Sequence, residues 1–266
     1  MDVNMVIFDL DGTLIDTIGD LSAAVEHALS QGGFPGHTVD EYRNMVGHGI
    51  RNLVTRALPD GSPEEVIDIT LGRFVEYYTA HIDVLSRPYP GIQELLRELS
   101  SDGFSIAVAS NKFQAGTESL IRRFFPDIPF VKILGNAPGL PLKPDPEVIR
   151  LALTAACHAL NEAGSPLDRG RVHPRALRLR SGTAAAEYGP CPVAQPAQVP
   201  SSGGEQVNAV MVGDSATDIK TARNAGIPAI AVSWGFRPRA DLEIADAIAD
   251  TPEQLNDLIR IFTGRN

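Results

Sequence analysis

Short, continuously apolar runs alternate with longer amphipathic segments along most of the chain. Apolar runs without polar alternation are typical of parallel strands covered on both faces, and apolar residues recurring every three or four positions predict helices. The alternation therefore indicates an α/β fold built on a doubly wound parallel sheet. The predicted strands are Val3–Phe8, Phe104–Ala109, Phe130–Leu134, Val207–Val212 and Pro228–Val232.

Helical periodicity lies between these strands, and two helix ends carry local signals. Asp145 followed by Pro146 combines an N-cap residue with a proline in the first turn. Gly226, with Pro228 shortly after it, predicts the end of another helix. The predicted core helices are Ile92–Leu99, Glu118–Phe125, Pro146–Leu160 and Ala216–Asn224.

Residues 17–87 break the alternation of strands and helices. Consecutive helices without a convincing strand predict a small all-helical cap domain inserted after the first strand. We therefore expect a cap over 17–87 and a core over 1–16 and 88–266. The predicted cap helices are Thr17–Gln31, Val39–Met45, Ile50–Ala57 and Pro63–His81.

A second departure from the pattern covers about residues 161–206. The segment is rich in proline, glycine and arginine, lacks lysine and shows almost no periodicity. Such composition is typical of a disordered loop, so we expect a mobile surface insertion. A regulatory or partner-binding arm and a cloning or sequencing artefact remain alternatives.

Charge and composition exclude several classes of function. With 23 Lys+Arg against 33 Asp+Glu, the formal net charge is −10, which argues against binding to nucleic acid or an anionic membrane. No signal-peptide pattern opens the chain, and no apolar stretch approaches the roughly 18–20 residues of a membrane span. Its 2 cysteines cannot form a disulfide framework. We expect a cytoplasmic globular protein, monomeric or homodimeric.

Polar residues follow four of the predicted strands where each strand ends. Asp9 and Asp11 end the first strand, and Gly12 permits the turn that brings both carboxylates to one site. Taken singly, each group is also explained as a turn, a helix cap or a solvated lysine. Together they predict one site, because the carboxyl ends of parallel strands meet at one edge of a sheet. The other three groups are Ser110-Asn111-Lys112, Lys143-Pro144-Asp145-Pro146 and Gly213-Asp214-Ser215-Ala216-Thr217-Asp218.

This set of residues resembles the haloacid dehalogenase superfamily, specifically its phosphatases with a helical cap inserted after the first motif. Within that group the chain looks most like bacterial phosphoglycolate phosphatases. The resemblance implies a Rossmann-like core beneath the cap. The superfamily motifs are Asp9-x-Asp11-Gly12-Thr13, Ser110, Lys143 and Asp214-x-x-x-Asp218, and the finer likeness rests on Leu14-Ile15-Asp16-Thr17, Met45-Val46-Gly47-His48-Gly49 and Tyr89-Pro90-Gly91.

The resemblance also implies a Mg²⁺-dependent phosphomonoester hydrolase that acts on a small phosphorylated metabolite, with 2-phosphoglycolate as the first expectation. Asp9 would be the nucleophile that forms an aspartyl-phosphate, and Asp11 the general acid and base. Lys143 and Ser110 would stabilise the charge of the phosphoryl group during catalysis.

The expected metal ligands are the Asp9 carboxylate, the Asp11 main-chain carbonyl and Asp214. Asp218 would orient Lys143 or a metal-bound water. The remaining expected contacts concern substrate binding. Main-chain amides after Asp9 would donate hydrogen bonds to the phosphate, and Asn111 and Lys112 would contact either the phosphate or the cap. Two cap residues would face a small anionic group unless they lie in a solvent-exposed turn. These substrate-binding candidates are Gly12, Thr13, Asn111, His48 and Arg51.

Several alternatives stay open. Asp11 argues against a dehalogenase, since a halide leaving group needs no proton, and none of the chain's lysines lies in the predicted cap, which argues against a phosphonatase with a Schiff-base lysine. A phosphosugar phosphatase, a phosphomutase or a pyrophosphatase would share the same core motifs. From another class, a non-hydrolytic phosphoacceptor or binding protein would also use clustered aspartates and a lysine.

Overall fold

In a computed structural model of the chain, residues 3–163 and 207–265 are described. A parallel sheet of six strands forms the centre, with the strand order β5–β4–β1–β6–β7–β8, all elements being numbered along the chain. The strands are β1 (Val3–Phe8), β4 (Ser105–Phe113), β5 (Phe130–Asn136), β6 (Val207–Gly213), β7 (Ala229–Val232) and β8 (Ala247–Ala249).

Both faces of the sheet are covered, as the continuously apolar runs predict. In β1, Val6 and Phe8 belong to one buried cluster, whereas Met5 and Ile7 belong to the cluster on the opposite face. All four are fully buried. The helices around the sheet are α5 (Ile92–Ser101), α6 (Gln114–Phe124), α7 (Glu147–Ala163), α8 (Ala216–Ala225) and α9 (Pro252–Thr263), with a short 3₁₀ helix at Arg239–Leu242.

The strand order places the switch point of the sheet beside β1. The chain continues from β1 to β4 and β5 on one side and later to β6, β7 and β8 on the other. Ligands of open α/β sheets bind outside the carboxyl ends of the strands at such a point. The fold therefore brings the ends of β1, β4 and β6 to a single place.

Four consecutive helices lie between β1 and α5, as predicted. The chain leaves and returns through a short antiparallel ribbon, β2 (Ile15–Asp16) with β3 (Arg87–Pro88). Asp20 supports this crossing, because its buried carboxylate accepts hydrogen bonds from the amides of Leu85 and Ser86. That residues 17–87 are a separate domain stays a prediction. The helices are α1 (Ile18–Gln31), α2 (Val39–Met45), α3 (Ile50–Ala57) and α4 (Glu64–His81).

The predicted helix ends are confirmed by local hydrogen bonds. The Asp145 side chain accepts a hydrogen bond from the Glu147 amide at the start of α7. Gly226 adopts a left-handed conformation after α8 with φ 73°, and its amide donates to the Ala222 and Arg223 carbonyls. Both ends thus form as the sequence signals require.

Three boundaries differ from the prediction by three residues or more. Strand β4 continues to Phe113, so Ser110-Asn111-Lys112 form its last part instead of following it. Helix α6 begins at Gln114, ahead of the predicted start, because the Gln114 side chain bonds to the Ile133 carbonyl and the Gly135 amide of β5. Helix α7 reaches Ala163, so the predicted loop does not begin at Asn161.

Some elements have no counterpart in the prediction. The ribbon and β8 are too short for a periodicity to show, whereas α9 carries a Thr251 cap and a proline in its first turn. The remainder of the predicted insertion, residues 164–206, lies outside the described residues. None of the helices within the described ranges is both long enough and apolar enough to cross a membrane.

Candidate active site

A cavity of about 600 Å³, its open mouth included, lies between the carboxyl edge of the sheet and the helices α1 to α3. Its floor carries the charged residues that follow the strands, and its opposite wall is largely apolar. The floor includes Asp9, Asp11, Ser110, Asn111, Lys112, Lys143, Asp214 and Asp218, and the wall includes Leu21, Val46, Gly47, Gly49, Ile50 and Leu53.

Lys143 is the central cation of the floor. Its Nζ donates hydrogen bonds to Asp9 Oδ1 at 2.7 Å, to Asp218 Oδ1 at 2.6 Å and to the Ala109 carbonyl at 2.8 Å. An ammonium group has three donors, so these contacts occupy all of them. Asp218 also accepts from the amide and hydroxyl of Ser215, through which it caps α8. The lysine is thereby held rigidly beside Asp9.

Three carboxylates crowd around this lysine. Oxygen atoms of Asp9, Asp214 and Asp218 lie within 4.8 Å of one another, and all three side chains are buried. Asp214 is fixed by the Phe236 amide, which donates to its Oδ2 at 2.6 Å. A Cβ atom at Gly12, where φ is 84°, would lie 2.3 Å from that same oxygen. Only glycine fits there, so Gly12 shapes the carboxylate cluster.

Three carboxylates share one lysine, and the pKa values of two of them, Asp9 and Asp214, are raised. Burial raises the pKa of Asp9 to about 7, although Lys143 opposes the shift. Burial, followed by repulsion from Asp218 and Asp9, raises the pKa of Asp214 well above its usual range. Burial disfavours the charge of Lys143, but the attraction of Asp218 and Asp9 outweighs it and raises that pKa. The cluster therefore favours an added positive charge.

The donor set fits a hard divalent cation. Mg²⁺ prefers carboxylate and carbonyl oxygens over nitrogen or sulfur, and the cluster offers three carboxylates at short range. The carboxylate of Asp11, in contrast, is not a member of this cluster. Sequence reasoning assigned Asp11 to the metal through its main-chain carbonyl, and that assignment stays a prediction.

The Asp11 carboxylate belongs to a separate hydrogen-bond network. Its Oδ1 accepts from Thr17 Oγ1 at 2.7 Å and from Lys112 Nζ at 3.0 Å. Lys112 Nζ also donates to the hydroxyl of Tyr78 at 2.5 Å and lies 4.7 Å from the centre of that ring. Both carboxylates of the first motif thus have a lysine of their own.

Tyr78 was absent from the predicted site residues, and Lys112 was expected to contact the phosphate or the cap, not the Asp11 carboxylate. Lys112 is 4% exposed and directly follows Asn111. Since the chain has few lysines, the position of Lys112 at the end of β4 indicates a place in the site. Tyr78 lies on α4, far away in sequence, and no local pattern links it to the site.

Asn111 joins three parts of the site. Its Nδ2 donates to the Gly47 carbonyl at 3.0 Å and to the Lys143 carbonyl at 3.2 Å, and its Oδ1 accepts from the Lys143 amide at 2.8 Å. Ser110, its neighbour, lines the cavity, and its Oγ accepts from the Lys112 amide at 3.2 Å. Asn111 therefore connects the end of β4 to the main chain of Lys143 and to the turn between α2 and α3.

Four of the predicted substrate-binding residues do not line the cavity. Arg51 bonds to Glu64 and Asp68 with a side chain that is 49% exposed, and His48 is exposed. Gly12 packs behind Asp214. Thr13 is fully buried, and its hydroxyl has no hydrogen-bond partner among the described residues. The turn at residues 47–49 therefore presents its backbone, not the side chains of His48 and Arg51, to the cavity.

Residues 6–163 match the family described as haloacid dehalogenase-like hydrolase, and residues 181–258 match a family described as HAD-hydrolase-like. The chain belongs to the haloacid dehalogenase-like hydrolases. This membership agrees with the carboxylates and lysine at the switch point of the sheet, and together with the relatives described next it shows an enzyme of the phosphatase type.

Individual members of this hydrolase family give the same picture. The chain is 32% identical over 246 residues to the phosphoglycolate phosphatase of Mesorhizobium japonicum, covering 88% of this chain and 85% of the relative. It is 32% identical over 264 residues to that of Agrobacterium fabrum, covering 96% and 94%. A solved structure from Lactobacillus delbrueckii, provisionally described as a phosphoglycolate phosphatase, is 29% identical with a TM-score of 0.71 and covers 97% and 99%.

The raised pKa of Asp9 predicts a pH-dependent effect on the stability of the metal-free hydrolase. Between its ordinary value of 3.8 and about 7, Asp9 is deprotonated in the unfolded chain but protonated in the folded one. The folded state binds more protons there, so raising the pH costs stability. Asp9→Asn removes this cost. We expect the melting temperature of Asp9→Asn minus that of wild type, in EDTA, to increase from pH 5 to pH 8.

The matched control is Asp60→Asn, which changes an exposed aspartate. Its melting temperature relative to wild type should stay constant over the same pH range. A difference for Asp9→Asn that stays flat or decreases would contradict the assigned direction of the Asp9 pKa shift.

Proposed function

We propose that the protein hydrolyses a small phosphomonoester, with 2-phosphoglycolate as substrate, through an aspartyl-phosphate on Asp9 and with Mg²⁺ as cofactor. One observation carries the proposal. Asp9 lies buried in a cavity with Lys143 bound to one of its oxygens, while Asp11, two residues on, is held separately by Lys112 and Thr17. Two carboxylates with different partners suit two different roles.

Asp9 is the nucleophile in this proposal. Lys143 binds Oδ1, which leaves Oδ2 to attack the phosphorus atom in line with the leaving oxygen. Lys143, together with Ser110, also stabilises the negative charge of the phosphoryl group as it is transferred. Asp9 and Asp214, with the Asp11 carbonyl, would hold Mg²⁺, which when bound neutralises further charge on the phosphoryl oxygens.

Asp11 is the proton donor and acceptor. It protonates the leaving alkoxide as the first step ends, and it then takes a proton from the water that hydrolyses the aspartyl-phosphate. Thr17 and Lys112 hold its carboxylate in place between the two steps. Asp218 orients Lys143 and takes no direct part.

The wall of the cavity favours a small leaving group. A sugar carries several hydroxyl groups, each of which needs a hydrogen-bond partner when buried. The side chains facing the cavity from the cap helices are the apolar ones of Leu21, Val46, Ile50 and Leu53. This favours a compact substrate over a phosphosugar, in agreement with the activity named for the relatives in Mesorhizobium and Agrobacterium.

Phosphate release from a panel of phosphate esters tests the proposed function. The panel contains 2-phosphoglycolate, glucose 6-phosphate, glucose 1-phosphate and pyrophosphate, each assayed with Mg²⁺ and with EDTA. We expect a strong preference for 2-phosphoglycolate that EDTA abolishes. Phosphate release in EDTA would contradict the role of Mg²⁺, and a preference for a glucose phosphate would contradict the substrate.

The two roles of Asp11 predict a burst in the Asp11→Asn variant. 4-Nitrophenyl phosphate has a leaving group that needs no proton, so Asp9 should still be phosphorylated. Hydrolysis of the aspartyl-phosphate lacks its base and should slow by roughly 10²- to 10⁴-fold. We expect one equivalent of nitrophenolate per enzyme in stopped flow, followed by slow turnover. Wild-type enzyme should show no burst, and steady wild-type-like turnover by the variant would contradict the role of Asp11.

A further inference from the structure

The cations that line the cavity differ in their partners. Lys143 and Lys112 each form ion pairs with buried or half-buried aspartates of the floor. Arg237, which follows β7 in the chain, also lines the cavity, but it forms no ion pair with any carboxylate in the described ranges. Arg237 attracts the Asp214 carboxylate and thereby partly offsets the rise of its pKa, but its guanidinium donates no hydrogen bond to a carboxylate in the described ranges.

The guanidinium of Arg237 is nevertheless held in place. Its Nη1 donates to the Arg43 carbonyl and its Nη2 donates to the Val46 carbonyl, at the end of α2. A Cβ atom at Gly47 would lie 3.3 Å from Nη2, so the small residue at this position lets the guanidinium approach closely. Since both acceptors are neutral carbonyls, the positive charge remains available to a ligand, as do the remaining N–H groups.

Arg237 stands where the cavity meets a second, open groove. Arg237 and Phe236 line both spaces. The groove is also lined by Tyr89 and Trp234, whose rings lie 6.4 Å apart. A small anion at this boundary thus meets a guanidinium next to the apolar wall that Val46 and Gly47 help to form.

We propose that Arg237 determines specificity by binding a second anionic group, a carboxylate, on the part of the substrate that leaves with the ester oxygen. A carboxylate accepts two hydrogen bonds from a guanidinium, which fixes both its position and its direction. The inference rests on the proposed phosphatase function and deepens it. The first prediction from sequence gave this role to His48 or Arg51, neither of which lines the cavity.

Arg237 also has a structural alternative, in which it only holds the end of α2. A cation at the carboxyl end of a helix is stabilising in its own right. The two roles differ in one measurable way, because loss of a structural contact lowers activity towards every substrate, whereas loss of a recognition contact lowers it only for substrates that carry the second anion.

The test compares two phosphate esters that differ at the second group. 2-Phosphoglycolate carries a carboxylate there, and 2-hydroxyethyl phosphate carries an uncharged hydroxymethyl group. Arg237→Met keeps much of the side-chain length but removes the charge. We expect kcat/KM for 2-phosphoglycolate to fall by about 20-fold or more, as for a lost charged hydrogen bond, and that for 2-hydroxyethyl phosphate by less than about 3-fold. Arg239→Met, a change of an exposed arginine nearby, should leave the ratio unaltered.

Equal losses for both esters would overturn the proposal and leave the structural role. Wild-type enzyme that hydrolyses both esters with equal kcat/KM would overturn it as well, even if Arg237→Met does not fold. If Arg237→Met does not fold, Arg237→Lys takes its place in the test. This variant keeps the charge without the planar fork, and it should show an intermediate loss of kcat/KM that is selective for 2-phosphoglycolate. Equal losses in a folded variant whose wild type hydrolyses 2-phosphoglycolate refute this inference alone. Wild-type enzyme that hydrolyses 2-hydroxyethyl phosphate but not 2-phosphoglycolate also refutes the proposed substrate, and no hydrolysis of any ester refutes the proposed function itself.

Discussion

Asp9→Asn is expected to lower phosphate release by roughly 10⁴-fold or more while the protein stays folded. The amide keeps the size of the carboxylate but cannot attack phosphorus as an anion, and the site has no second carboxylate in the same position. Asp214 is bound by the Phe236 amide, and Asp218 is committed to Lys143 and Ser215. The measurement is kcat for the preferred ester with Mg²⁺ in excess.

The fold of the variant is checked by its melting temperature, which should match or exceed that of wild type at pH 8. This expectation follows from the raised pKa of Asp9, since burial of that carboxylate costs stability in the absence of metal. Activity that falls by less than about 10-fold in a folded variant would mean that another group attacks the phosphorus.

Lys143→Met is expected to be the most destabilising single change in the site. The substitution leaves Asp9 and Asp218 buried without their shared cation. Breaking a buried ion pair by removing one partner typically costs about 3–5 kcal/mol, and we expect a loss in this range at pH 8. Catalysis should also fall by roughly 10²- to 10³-fold in protein that remains folded, because charge on the phosphoryl group is no longer neutralised.

The control for this substitution is Lys132→Met, which removes an exposed lysine from β5. It should change the free energy of unfolding by less than about 0.5 kcal/mol. The double variant Lys143→Met/Asp218→Asn should regain part of the lost stability, since one buried negative charge is gone. A double variant that is less stable than Lys143→Met would contradict the argument that unpaired charge causes the loss.

The sequence predicted those parts of the site that lie at strand ends. Asp9 and Asp214 follow apolar runs and Lys143 lies in the loop after β5, and the parallel sheet brings such positions to one edge whatever the exact strand lengths are. Core strands were predictable for the same reason, because burial on both faces leaves an apolar run that local sequence shows directly. The role of Gly12 in the turn after β1 could also be anticipated, since that turn requires a positive φ.

The contacts that involve helices α2 and α4 could not be predicted in this way. Tyr78 meets Lys112 only because α4 packs over the end of β4, and Arg237 reaches the cavity only because the end of α2 offers it two carbonyls. Such contacts depend on how two parts of the chain pack against each other. Arg51 shows the converse error, because charge near a flexible turn suggested a ligand whereas Glu64 and Asp68 bind it on the surface.

The choice of carboxylates in the buried cluster is a subtler case. The spacing of Asp9 and Asp11 drew attention to these two residues, but the side chains that cluster are those of Asp9, Asp214 and Asp218. The direction of the Asp11 side chain is set by Thr17, which immediately precedes α1, and by Lys112 at the end of β4. Sequence spacing identified the residues, and packing decided their partners.

Acid-quench mass spectrometry on the Asp11→Asn variant tests the central claim most directly. The variant is mixed with 4-nitrophenyl phosphate and Mg²⁺, quenched in acid during the burst and digested, and the peptides are searched for the added mass of one phosphoryl group. The account predicts a single adduct on Asp9, absent from Asp9→Asn/Asp11→Asn. Nitrophenolate release without an adduct on Asp9, or with the phosphoryl group on Ser110 or another residue, would contradict it.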